Sequence, residues 1–307
     1  MFTFSTCWNS QRHTDGRAML AEIRALGFEH VELGHATRLS LLDGIQRAVA
    51  ANEMRVASVH NFCPLPIGLN GPAPDYYLPS SRRERERELA IRHTLRTLDC
   101  AMAVGAKVVV LHLGTIPMRD YTGKLLRKLV DGQAGTPRYE RIKTKALTKR
   151  AKRRQLHFDN VCRVLDVVVP RTKDLKLKLG LETRMTIGDI PDEDDAEELI
   201  RRYGVDVCGY WLDNAHAQFK ENLGLLRIEA VLERFRGRTL GMHLQDFQPP
   251  VRDHLPPGTG TFDFARLTPF VTDGMILTWE IHGPFEAQQI AEGTRRAHAV
   301  LRPPVNP

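Results

Sequence analysis

Cysteine is sparse and unpaired in this chain: five of 307 residues, at Cys7, Cys63, Cys100, Cys162 and Cys208, with no C-x-x-C among them. An odd, scattered set excludes a disulfide framework and a thiolate zinc site of the usual spacing, and these residues read as small buried hydrophobes. Uninterrupted apolar runs are short, and none reaches the roughly eighteen residues that a membrane span requires. Residues 1–10 carry neither the basic nor the apolar region of a secretory signal, so the expectation is a cytoplasmic protein with no membrane attachment. A fixed-period repeat, a low-complexity tract and a flexible linker are also missing. That excludes a solenoid and favours one domain over residues 1–307.

What is present is apolar content of 42%, enough for a large core, and a net charge of +7. The basicity is local. Residues 138–154 hold nine Lys/Arg and one Glu, a local +8 that leaves the rest of the chain close to neutral. A polyanion-binding protein is therefore not implied, and Tyr139 is the only aromatic residue in the segment, which disfavours nucleic acid. The segment reads as a solvated helix face, or as a surface that steers a phosphorylated sugar or docks a partner chain. The alternating charges of 83–88 read as a solvated helix face with i,i+4 pairs.

Short apolar runs alternate with longer amphipathic ones. The spacing predicts strands at 2–6, 30–33, 55–60, 107–113, 176–182, 207–213, 238–243 and 275–280. Between them helices are predicted at 16–26, 40–53, 81–104, 137–169, 193–203, 225–235, 264–271 and 286–301. Gly27 and Gly105 stand just past helix ends, where a left-handed cap is needed before the next strand. Eight such units predict an α/β fold of the (β/α)8, or TIM barrel, type. The long irregular stretch is 114–136, and a basic insertion with a long helix covers about 115–170.

In a parallel barrel all strand C-termini meet on one face, so residues distant in sequence converge there. Here those ends are chemically loaded: His60, His112, Glu182, Asp213 with His216, His243 with Asp246, His254 in the following loop, and Glu280. A lone histidine at such a place is most often a hydrogen-bonded core residue. A glutamate closing an otherwise apolar strand, as in KLKLGLE and MILTWE, is harder to set aside, because desolvation penalises its charge unless a cation or metal balances it. Taken together, the set points to a metal site. Trp8, Phe62, Trp211 and Trp279 flank strand ends and read as barrel core or as walls of an apolar pocket.

The segments SVH, LHLG, GLE, D-x-x-H, HLQD, PGTG and the final glutamate, spread over 27–280, resemble the xylose isomerase-like barrel superfamily. It contains sugar isomerases and epimerases, inosose dehydratases and type IV AP endonucleases. The resemblance to the isomerase branch implies one divalent ion, manganese before zinc, cobalt or magnesium, held by Glu182, Asp213, His243 and Glu280. It also implies that Glu182 and Glu280 act as catalytic acid and base on opposite sides of a bound ketose or polyol, with the metal stabilising an enediolate. His216 and Arg252 would bind substrate oxygens, and Glu32 would stand on the substrate side or behind the ligands, or be a strand-end glutamate solvated at the barrel mouth. His60, His112 and His254 would form a polar wall for the sugar or a second metal position.

Type IV AP endonucleases share three zinc ions among nine ligands, and eight have matches here: His60, His112, Glu182, Asp213, His216, His243, His254 and Glu280. The ninth departs, because Arg252 stands where that pattern has a carboxylate, and a cation there opposes a metal unless Asp253 or Asp246 substitutes. The expectation is therefore a single-metal sugar isomerase, epimerase or related lyase with a small-molecule sugar or polyol substrate. A zinc phosphodiesterase acting on DNA is the alternative, and a scaffold or partner subunit a third. Assembly as a homo-oligomer stays open.

Overall fold

The computed structural model describes residues 1–69 and 74–301. Its strands are β1 (Phe2–Ser5), β2 (His30–Leu33), β3 (Arg55–His60), β4 (Val108–Leu111), β5 (Lys178–Glu182), β6 (Cys208–Asp213), β7 (Thr239–Leu244), β8 (Asp246–Gln248), β9 (Arg252–Leu255) and β10 (Ile276–Trp279). Eight of them close a barrel of purely parallel pairs in the order β1-β10-β7-β6-β5-β4-β3-β2. This is the (β/α)8 TIM barrel that the alternation predicts.

The helices are α1 (Gly16–Ala25), α2 (Leu42–Ala50), α3 (Glu84–Ala103), α4 (Thr122–Val130), α5 (Pro137–Asp174), α6 (Glu193–Tyr203), α7 (Asn214–Asn222), α8 (Ile228–Arg234) and α9 (Ala287–Leu301). Gly27 and Gly105 take positive φ, 96° and 75°, as the turns from helix to strand demand. Among the described residues no helix is long and apolar enough to cross a membrane.

Five local features depart from the expectations. The stretch 114–136 is not wholly irregular, because α4 lies within it. The segment predicted as a helix at 264–271 is a 3-10 helix, Phe264–Phe270, with Pro269 inside it. A helix, α7, starts directly at the end of β6, and an antiparallel hairpin, β8–β9, follows β7. Finally, α5 continues through Pro170 to Asp174, beyond the predicted 169.

Part of the basic segment in α5 is structural. Arg150 is buried and reaches α6, pairing with Asp192 at 2.7 Å and with fully buried Asp195 at 2.5 Å. Arg154 pairs with the same Asp195 and with Glu198. Three of the remaining cations differ: Arg138, Arg141 and Lys145 join Arg119, Lys124, Arg127 and Lys128 around a groove of about 710 Å³ beside α4.

Two cores result. A large one lies between sheet and helices, and a small one fills the barrel with Ala57, Val108, Val110, Trp211 and Ile276. Trp8, Phe62, Trp211 and Trp279 are all buried.

Candidate metal centre

Residues alternate across a strand, so a one-residue slip decides which side chains enter the barrel. Between β6 and β7 the register shifts: Tyr210 pairs with Thr239 but Trp211 pairs with Gly241, leaving Leu240 as the extra residue. The shift sets Trp211 beside Gly241 and Asp213 beside His243. A similar shift at Ala57 brings Ser58 opposite Glu32. Trp211 then fills the barrel below the site, its ring edge-on to His243 at 5.2 Å.

His243 is the hub. Its Nε2 lies 3.0 Å from Glu32 Oε1, and both residues are fully buried. Ser58 donates to the other oxygen of Glu32 at 2.7 Å. Because a carboxylate accepts, Nε2 keeps its proton, so Nδ1 is the nitrogen that can give up its proton and offer a lone pair to an ion. That atom stands 3.2 Å from Glu280 Oε2 and 3.4 Å from Glu182 Oε1, yet it is buried and aligned for a hydrogen bond with neither. Glu182, Asp213, His243 and Glu280 each place a donor atom within 4.8 Å of the others.

Four buried carboxylates, Glu32, Glu182, Asp213 and Glu280, thus crowd one imidazole. Burial works against ionisation of Glu182, but His112 and His243 overcome it and hold its carboxyl well below the usual range. Burial likewise opposes Glu280, and His243 and His282 prevail in the same direction. Burial, then the charge of Glu182, push Asp213 up to about 7. So much buried negative charge calls for a cation.

His60 and His112 both lean on Glu182 Oε2, at 3.0 and 2.9 Å. Burial and Arg184 oppose a charge on His112, but Asp75 and Glu182 prevail and push it up to about 9. His112 therefore stands as an imidazolium donating to Asp75 at 3.2 Å and to Glu182. Arg184, two residues beyond Glu182, sets one guanidinium nitrogen against His112 Nε2 and pairs with Asp75 at 2.7 Å. His216 donates from Nδ1 to the Thr183 carbonyl at 3.0 Å, and burial pushes it down to about 4, so it is neutral with Nε2 free to accept.

The hairpin carries the rest. Arg252 is exposed on β9, while His254 lies with Nε2 3.8 Å from Glu280 Oε2 and Nδ1 3.0 Å from Asp253. Asp246 does not join the site. Its carboxylate accepts from the backbone N–H of Phe247, Gly258, Gly260 and Phe262 at 2.8–2.9 Å and so anchors the PGTG turn. Gln245, by contrast, donates to Asp213 Oδ2 at 2.7 Å and accepts from the His254 backbone N–H.

Two further donor groups share members with the first four: His60, His112 and Glu182, and Asp213, His216 and His254. A fourth comprises Cys7, His35, Glu280 and His282. Sequence reasoning passed over Arg184, Gln245, His35, His282 and Cys7. His35 repeats the strand-end signal two residues past β2 in LGH, and His282 stands two residues after Glu280; both could have been read there.

An ion fits the first group on this chemistry. Three carboxylates and one imidazole are hard-to-borderline donors suited to manganese, magnesium, zinc or cobalt, and the orphaned Nδ1 of His243 is oriented from behind by Glu32.

The sequence pattern of the family described as xylose isomerase-like TIM barrel matches residues 20–303. No curated protein matches the chain by sequence. Among solved structures, an L-ribulose 3-epimerase superposes with a TM-score of 0.68 at 16% identity, covering 98% of this chain and 94% of that one. A 3-keto-D-glucoside 4-epimerase from E. coli gives 0.65 at 14% identity, covering 97% and 98%. The IOLI protein with a bound zinc atom gives 0.65 at 13% identity, covering 98% and 97%. At these identities the likeness is one of fold.

Proposed function

Since the chain belongs to the xylose isomerase-like TIM barrel family, we propose that it is a divalent-metal-dependent isomerase or epimerase of sugars or polyols that moves a proton next to a carbonyl. The observation that carries this reading is the pair of buried carboxylates, Glu182 and Glu280, flanking the unpartnered Nδ1 of His243 at 3.4 and 3.2 Å. Glu182, Asp213, His243 and Glu280 would hold the ion. When bound, it would supply Lewis acidity to the substrate carbonyl, favouring loss of a proton from the neighbouring carbon.

The chain's own groups do the remaining work. Glu182 and Glu280 come from strands separated by β6 and β7, so they approach a sugar from different sides. One takes the proton from one face of the carbon and the other returns it on the opposite face, which inverts the centre. His60 and His112 fix one oxygen of Glu182 and leave the other for this transfer. Neutral His216 accepts from a substrate hydroxyl through Nε2, and Arg184 donates to oxygens carrying negative charge. Relatives in fold that are sugar epimerases support the substrate class.

The phosphodiesterase alternative needs ions at His60 with His112 and at His216 with His254. Two cations oppose it: Arg184 lies against His112 Nε2, and Arg252 stands in place of a carboxylate.

The test uses manganese-loaded protein in D2O with a panel of free ketoses and 3-keto-glycosides, followed by NMR. Wash-in of deuterium beside the carbonyl is expected, with Glu182→Gln and Glu280→Gln each slowing it by about 10²–10⁴-fold, since an amide cannot accept the proton. A metal-loaded protein that exchanges no member of the panel and incises abasic DNA would overturn the proposal.

A further inference from the structure

We infer that Cys7, His35 and His282, together with the second oxygen of Glu280, form a zinc-binding site beside the centre described above. It rests on the reading of Glu280 as a ligand carboxylate, not on the reaction assigned to it.

The four residues bring one donor atom each to within 4.8 Å of one another. Ligand atoms around a tetrahedral zinc ion stand about 3.3–3.8 Å apart, so the cluster lies roughly an ångström from closing on an ion. Both histidines carry a buried ring nitrogen without a hydrogen-bond partner. His35 is more than nine-tenths buried and its Nδ1 has no hydrogen-bond partner, and His282 Nε2 is likewise buried without one. Buried ring nitrogens without partners are uncommon, because the lost solvation is not recovered.

Glu280 is divided between the two sides. Its Oε2 lies 3.2 Å from His243 Nδ1, whereas Oε1 lies 3.7 Å from His282 Nε2. One carboxylate can therefore bridge two ions.

Cys7 also differs from the other cysteines. Cys63, Cys100, Cys162 and Cys208 are packed in the large hydrophobic core, but Cys7 is not part of it and is only half-buried. Space for its sulfur depends on Gly34, where a Cβ would come within 2.2 Å of Sγ. A cavity of about 360 Å³ opens on Cys7, His35 and His282 and gives an ion a way in. A thiolate with two imidazoles selects zinc or cobalt over manganese or magnesium. On loading, the Cys7 thiol releases its proton to solvent and the sulfur bonds the ion, with no change of oxidation state.

The experiment is metal loading of the full-length protein with zinc, read by elemental analysis, and with cobalt, read by absorption. The expected result is about two ions per chain and a thiolate-to-cobalt charge-transfer band. Cys7→Ser should remove the band and about one ion, and the partly exposed His282→Gln should do the same if the cysteine variant folds poorly. Glu182→Gln should weaken the neighbouring centre while the band persists, which separates failure of this inference from failure of the proposed function. Wild-type protein that takes up about one ion without a thiolate band, or variants with unchanged ion content and spectrum, would overturn it.

Discussion

The proton on His243 Nε2 has one destination, the Glu32 carboxylate 3.0 Å away, and this decides which ring nitrogen is offered to an ion. Glu32→Gln keeps the size but weakens that control. The expected outcome is a loss of about 10–100-fold in affinity for manganese or zinc, measured by calorimetry, with the fold retained. His112 gives a pH dependence in the metal-free protein. Its folded value of about 9 exceeds the unfolded value of about 6.5, so its stabilisation is complete below about pH 6.5 and fades as the pH rises towards 9. The His112 contribution lost across that window is about 3 kcal/mol, and urea unfolding of His112→Gln should lack that part of the wild-type pH dependence.

At the level of elements, the extra residue at Leu240 sets Trp211, Gly241 and His243 in their places. A Cβ on Gly241 would meet Trp211 Cζ3 at 2.4 Å and the Ile276 carbonyl oxygen at 2.6 Å. Gly241→Ala should cost about 1–3 kcal/mol or more by overpacking, read as a lowered Tm. Arg150→Met leaves fully buried Asp195 with Arg154 alone, and a loss of about 3–5 kcal/mol is expected in denaturant unfolding. The strands, and the loaded strand ends of His60, Glu182, Asp213 and His243, were legible because alternation and desolvation act locally. The hairpin was not, since its short polar strands imitate a loop, and neither was α7, which begins on the Asp213 side-chain cap rather than on a separate turn signal. Arg184 escaped notice because only folding lays it on His112.

For the whole molecule, the barrel gathers buried negative charge at its mouth, and an ion held there would bind the folded chain alone. At a free metal concentration about a hundred times Kd, occupancy adds about 2.7 kcal/mol, so a chelator should lower Tm measurably and added manganese should restore it. The same architecture joins the surface to the centre through Gln245, whose amide holds the Asp213 carboxylate with one end and the His254 backbone with the other. The hairpin and the Asp213 carboxylate are joined by one side chain. A change in the arm that carries Arg252 is therefore expected to reach the Asp213 carboxylate through a single amide, which gives the donor geometry at the barrel's centre a handle on its outside.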